Sequence, residues 1–153
     1  MWILVYIFFI ILNFIAYFVP KRLYRIEIYS TTLFALLFGI VVDLILNLHY
    51  GLYGYFDRGF QWRGLIGEFL SFIPISILFL NYYPLHKSYK SQLFYILIWS
   101  VISTIIEWLM LKTEFFNEYE WELWYSAVAY PFIFLILVID LKIIKKLLKQ
   151  ASC

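Results

Sequence analysis

Thiols are almost absent from this chain: Cys153, its last residue, is the one cysteine. A single thiol cannot close an intramolecular disulfide or supply a two-cysteine or tetrahedral thiolate site. It also fails the prenylation box, which needs its cysteine four from the end. Histidine is scarce as well. His49 and His86 fall in segments expected on opposite sides of a membrane, so they cannot share a metal, and no HExxH pair occurs. There is no GxSxG nucleophile turn and no glycine-rich phosphate loop. Ser71, Ser100, Ser103 and Ser126 have no histidine inside their apolar runs to act as a base, which disfavours hydrolysis by a serine nucleophile. Charge is sparse: 14% of the residues are Asp, Glu, Lys or Arg, and the net charge is +2. A soluble domain carries about 25% charged residues. So small a positive excess argues for no nucleic-acid partner, and neither a metal nor a cofactor is expected.

The rest is apolar. Hydrophobic residues make up 65% of the chain and aromatics 24%, and mean hydropathy is +0.85. Five apolar runs, at about 2–19, 31–48, 64–82, 91–111 and 124–141, fill most of the 153 residues. Each holds roughly 18–21 residues, the length a helix needs to cross about 30 Å of hydrocarbon. Helices are the open-chain form that satisfies the backbone there. No strand-like alternation over ten-residue segments competes. The fold class expected is therefore all-α: residues 1–153 form a single integral membrane domain, a bundle of about five transmembrane helices. Trp2 to Val19 lacks the basic start and small-residue cleavage site of a secretory signal, so it is read as a retained first helix.

Lys and Arg between the runs set an expected orientation. Lys21, Arg22, Arg25, Lys87, Lys90, Lys142, Lys145, Lys146 and Lys149 fall on one side; Arg58, Arg63 and Lys112 fall on the other. The richer side is expected to be cytoplasmic, with the N-terminus outside and the C-terminus inside. Trp2, Trp62, Trp108, Trp121 and Trp124 then gather at the outer interface, where amphipathic rings prefer to sit. The longer connections, 49–63 and 112–123, lie on that side. The second carries Glu114, Glu118, Glu120 and Glu122 and reads as a solvated acidic loop more than as an amphipathic interfacial turn.

Three acids interrupt the runs. At 1.5 Å per residue, Asp43 lies roughly 18 Å and Glu107 roughly 24 Å from the inner surface, and Glu68 roughly 6 Å below the outer one. A charged side chain near the bilayer centre costs about 2.5–3.5 kcal/mol on insertion scales. Such groups therefore face a bundle interior and pair there. Ser100, Ser103, Thr104 and Glu107 recur along one helix stripe, as do Gly39, Asp43 and Asn47, and Gly39 leaves room for a neighbouring helix. Ser126 and Tyr130 stand at the same height. The constellation expected is Asp43, Asn47, Glu68, Glu107 and Tyr130 around an outward-facing polar pocket, with Arg58 or Arg63 as counter-charge and His49 directly above. His49 with Asp43 and Glu68 is a weaker cation-site alternative that no metal spacing supports. A plainer reading stays open beside it, in which Glu68 and Glu107 merely anchor span ends. Asn13 is expected to bond between helices, and Asp140 to pair with Lys142 to Lys146.

Segments HYGLYGYFDRGFQW (49–62), EWLMLKTEFF (107–116) and WELWYSAVAYPF (121–132) resemble an uncharacterised family of small multi-pass membrane proteins of Bacillus and related spore-forming Firmicutes. The resemblance implies a bacterial plasma membrane and about five helices. It implies no activity, cofactor or catalytic residue, and places only Glu107, Trp108, Tyr130 and Pro131 in recurring segments. The expected function is a non-enzymatic, small ligand- or ion-interacting component, or a subunit of a membrane assembly. Its expected partners are the lipid bilayer and either a second copy of the chain or another membrane protein. A proton- or cation-coupled channel or transporter, and a lipid- or isoprenoid-modifying enzyme using paired carboxylates, are the alternatives.

Overall fold

The computed structural model describes residues 1–151; Ser152 and Cys153, and with them the lone thiol, lie outside the described residues. Five α-helices carry the fold. Helix α1 (Trp2–Phe18) stops where Val19 turns extended, as the residue before Pro20 must. Helix α2 (Arg25–Asp43) begins six residues before the expected run, because the Glu27 carboxylate accepts the free N–H of Tyr24 at 2.9 Å and caps an additional turn. It continues without a break into a π-helical segment, Leu44–His49. Helix α3 (Trp62–Asn81) holds the buried Pro74, and α4 (Tyr89–Met110) follows Ser88. Helix α5 (Leu123–Ala151) has 29 residues and runs well past the expected end at Leu141. Its lysine-rich tail is still helical, since lysine and leucine propagate a helix readily.

The stretch Arg25–His49 and helices α3, α4 and α5 are each long and apolar enough to cross a membrane; α1, at 17 residues, is a shorter apolar helix. Helix α3 packs between α1 and α2, and α5 between α2 and α4. Large apolar side chains face outward all round the bundle, among them Phe14, Leu37, Phe69, Val101 and Phe132. A monomer in water rarely exposes so much contiguous apolar surface. One core cluster gathers Phe79, Leu80, Phe134, Leu137, Val138 and Leu141. A second holds Val5, Phe9, Tyr53, Phe115 and Phe116.

The two long connections do not form the loops expected of them. Strand β1 (Tyr53–Tyr55) pairs antiparallel with β2 (Phe116–Glu118), matching Tyr53 to Glu118 and Tyr55 to Phe116. Phe115 and Phe116 are buried beneath this ribbon, and Tyr53, Tyr55, Phe116 and Trp121 stack edge to face or tilted around it. The 112–123 segment is thus a lid on the bundle whose glutamates 114, 120 and 122 stay exposed, instead of an acidic loop solvated throughout. Gly67 lets the lid seat: a Cβ there would stand 2.4 Å from the Phe115 ring.

The opposite, basic end is tied by polar contacts. The Asn81 side chain accepts from Arg22 N–H at 2.7 Å and donates to Pro20 O at 3.0 Å. Lys145 pairs with Glu27 at 2.7 Å, not with Asp140. Among the described residues Asp140 forms no ion pair with its own helix, and Lys145 is drawn across to a carboxylate that is 2% exposed. Asp140 Oδ2 is buried with no hydrogen-bond partner. Asn13 does bond between helices, donating to Leu70 O on α3 at 2.7 Å.

Candidate binding site

Below the lid the helices enclose a cavity of about 240 Å³. Its far part is walled by apolar groups, including Ala35, Phe38, Ile133, Phe134 and Leu137; its near part, under β1, holds Asp43, Glu107, Ser126 and Tyr130. Along α2 and the π-helical segment that continues it, the wall runs from Ala35 to Leu46, about 16 Å at the helical rise. Gly39 sets the closeness of α2 to α3, since a Cβ there would lie 2.4 Å from the Phe72 ring.

Glu107 is 6% exposed and hydrogen-bonded on both oxygens. Ser126 donates to Oε1 at 2.6 Å and the Tyr130 hydroxyl donates to Oε2. Trp121 Nε1 in turn donates to Ser126 Oγ at 2.8 Å, which links the lid to the acid. Asp43, also buried, accepts from the Tyr53 hydroxyl on Oδ1 and from the Tyr55 hydroxyl on Oδ2, the latter at 3.1 Å. Two donors to each carboxylate replace much of the water it loses. In the lid, burial pushes the Tyr53 and Tyr55 phenols well above the ordinary value of 10.0, with the charge of Asp43 adding to it.

A second cavity, of about 330 Å³, lies on the other side of Asp43 and Tyr55, and both residues border the two spaces. Its walls include Asn47, Gln61 and Glu68. The Glu68 and Asp43 carboxyl groups meet side chain to side chain. The π-helical segment keeps Asn47 in line with Gly39 and Asp43. A four-residue repeat drifts round an α-helix by about 40° each time, and the wider π turn takes that drift back.

The structure therefore brings Asp43, Asn47, Glu68, Glu107 and Tyr130 together, but about two adjoining spaces with Asp43 between them. It does not bring in the expected bases. Arg58 lies over the Tyr119 ring, 4.4 Å from its centre, and Arg63 over the Trp2 ring at 5.5 Å. Neither pairs with an acid among the described residues. Both arginines are exposed, and a guanidinium stacked on a half-buried ring keeps its water, whereas one drawn into the cavity would not. His49 is exposed and packs edge to face on Tyr50, away from the cation-site alternative that joined it to Asp43 and Glu68. The acids find hydroxyls where bases were expected. Tyr53 and Tyr55 were the missed residues. Their two-residue spacing, which puts both side chains on one face of a strand, was the available signal. No family model, no curated protein and no solved structure matches this chain.

Proposed function

We propose that this chain is a five-span integral membrane protein, N-terminus outside and C-terminus inside, that binds a small amphiphilic ligand within its helix bundle. The observation that carries the reading is the division of the cavity beneath the lid. One stretch of it is apolar, and the other ends on two buried carboxylates, each held by hydroxyl donors. A ligand that suits it has an apolar body and a polar head bearing hydrogen-bond donors or positive charge, because carboxylates only accept. Among the described residues the walls offer no histidine or lysine to act as nucleophile or base, which favours binding over catalysis. The nine basic residues at one end and three at the other support the orientation, so the lid faces outward. The resemblance to small multi-pass proteins of spore-forming bacteria supports a plasma-membrane location.

The test is purification in lipid nanodiscs followed by mass spectrometry of released small molecules. A cationic or donor-bearing amphiphile retained by the wild type and depleted in Glu107→Gln supports the reading. Equal contents in both proteins, or none in either, would remove it. Reporter fusions placing the basic tail outside would remove the orientation.

A further inference from the structure

The second cavity poses a separate problem. Asp43 and Glu68 come from different helices and meet carboxyl to carboxyl, yet no Lys, Arg or His lines either cavity. Two carboxyl groups in contact either keep one member protonated and share its proton or take up a cation between them. The tyrosine hydroxyls on Asp43 supply only neutral donors, and the one side-chain partner of the Glu68 carboxyl among the described residues is the Asp43 carboxyl itself.

Asn47 points to what fills the gap. It lines the same cavity, is 7% exposed, and its Oδ1 is buried with no hydrogen-bond partner. An amide oxygen left unmet in such a place is costly, so a partner for it is expected. It sits one turn along the helix from Asp43, on the same face. Gln61, at the start of α3, brings a second amide to the wall. Every polar side chain lining this cavity thus carries an oxygen able to ligate a cation, two of them carboxyl groups. Among the described residues no three His, Cys, Asp or Glu gather closely enough to hold a metal, so the amide oxygen completes the set.

We propose that Asp43, Glu68 and Asn47 bind a hard divalent cation of the calcium class in this cavity. The charge fits, since a +2 ion that displaces the shared proton neutralises both carboxylates, whereas a +1 ion only replaces that proton. The donors fit, because calcium takes six to eight oxygens, mixes carboxylate with amide, and accepts water for the remainder. Some 330 Å³ of space admits those waters. On the orientation proposed above, the site lies near the outer face. It is distinct from the amphiphile cavity, which it touches through Asp43 and Tyr55.

The test is thermal unfolding of the detergent-solubilised protein after chelation, with Ca²⁺, Mg²⁺, Na⁺ or choline added back at constant ionic strength. Ca²⁺ should raise Tm by about 5 °C or more at saturation. Glu68→Gln and Asn47→Leu should lose that rise, and Tyr130→Phe should keep it. Terbium, a hard oxygen-seeking ion, gives a readout that needs no variant: its emission should be sensitised by Tyr55 and quenched by excess Ca²⁺. A Tm that ignores all the ions, or responds to Na⁺ and not to Ca²⁺, overturns the assignment. So do a Ca²⁺ response that survives in both variants and an absence of sensitised terbium emission.

Discussion

Lys145 reaches back 118 positions along the chain to Glu27, and its ammonium lies 2.7 Å from a carboxylate that is almost fully buried. The pair joins the tail of α5 to the first turn of α2 at the basic end of the bundle. Glu27 also caps α2 through Tyr24 N–H, so one side chain holds a helix start and a helix–helix contact together. Lys145→Met should cost about 2–3 kcal/mol, because it strands a buried carboxylate, with some relief from the partial exposure of the lysine. Thermal unfolding in detergent would read this as a clear fall in Tm. In a double-mutant cycle, Glu27→Ala with Lys145→Met should be less damaging than the sum of the two. Strict additivity would mean that the pair contributes nothing.

The chain Trp121 to Ser126 to Glu107, with Tyr130 on the second oxygen, orders two further variants. Tyr130→Phe removes one donor from a carboxylate that keeps the other. Ser126→Ala removes a donor from Glu107 and also the acceptor of Trp121, freeing the lid. Each lost bond to a buried charged group costs about 1–3 kcal/mol. Ser126→Ala should therefore be the more destabilising, and only it should alter the tryptophan near-ultraviolet circular dichroism. If Tyr130→Phe proves the worse of the two, the lid does not depend on this chain of bonds.

These relationships divide by how far apart in sequence their partners lie. The apolar runs were legible because hydrocarbon thickness sets their length. The stripes holding Asp43 and Glu107 were legible because helical periodicity puts Gly39, Asp43 and Asn47, or Ser100, Ser103 and Glu107, on one face without any knowledge of the neighbours. The lid was not legible. Its strands have three residues each, too few to show alternation, and β1 and β2 pair across two intervening helices. Arg58 and Arg63 misled for an electrostatic reason: a charge count places a base near an acid but does not weigh desolvation against stacking on Tyr119 or Trp2. Glu27 gives no signal in the sequence because it stands beside Arg22 and Arg25 outside the expected run, where a surface carboxylate needs no explanation.

Gly39 and Phe72 make a steric prediction that does not depend on charge. A methyl at residue 39 would meet the ring 2.4 Å away, so Gly39→Ala must push α2 from α3 or turn the ring. Overpacking of this kind costs about 1–3 kcal/mol. Gly39→Ala alone should lower Tm and yield, and adding Phe72→Leu should restore much of the loss. Failure of that second change to rescue would show that the glycine matters for backbone freedom and not for closeness.

Alkaline titration tests the lid. Tyr53 and Tyr55 have phenols held above the ordinary 10.0, mainly by burial and further by the charge of Asp43. A group whose value is higher in the folded chain contributes stability that is whole below the unfolded value and is lost as pH rises beyond it. Stability should therefore be insensitive to these phenols below about pH 10 and fall above it. The double variant Tyr53→Phe with Tyr55→Phe should start less stable, since Asp43 loses both donors, and should then lose less as pH climbs. Ultraviolet tyrosinate absorbance followed beside unfolding would show these two phenols ionising only as the lid opens. Ionisation of both near pH 10 in the intact protein would mean that water reaches them, and that the ribbon does not seal the cavity.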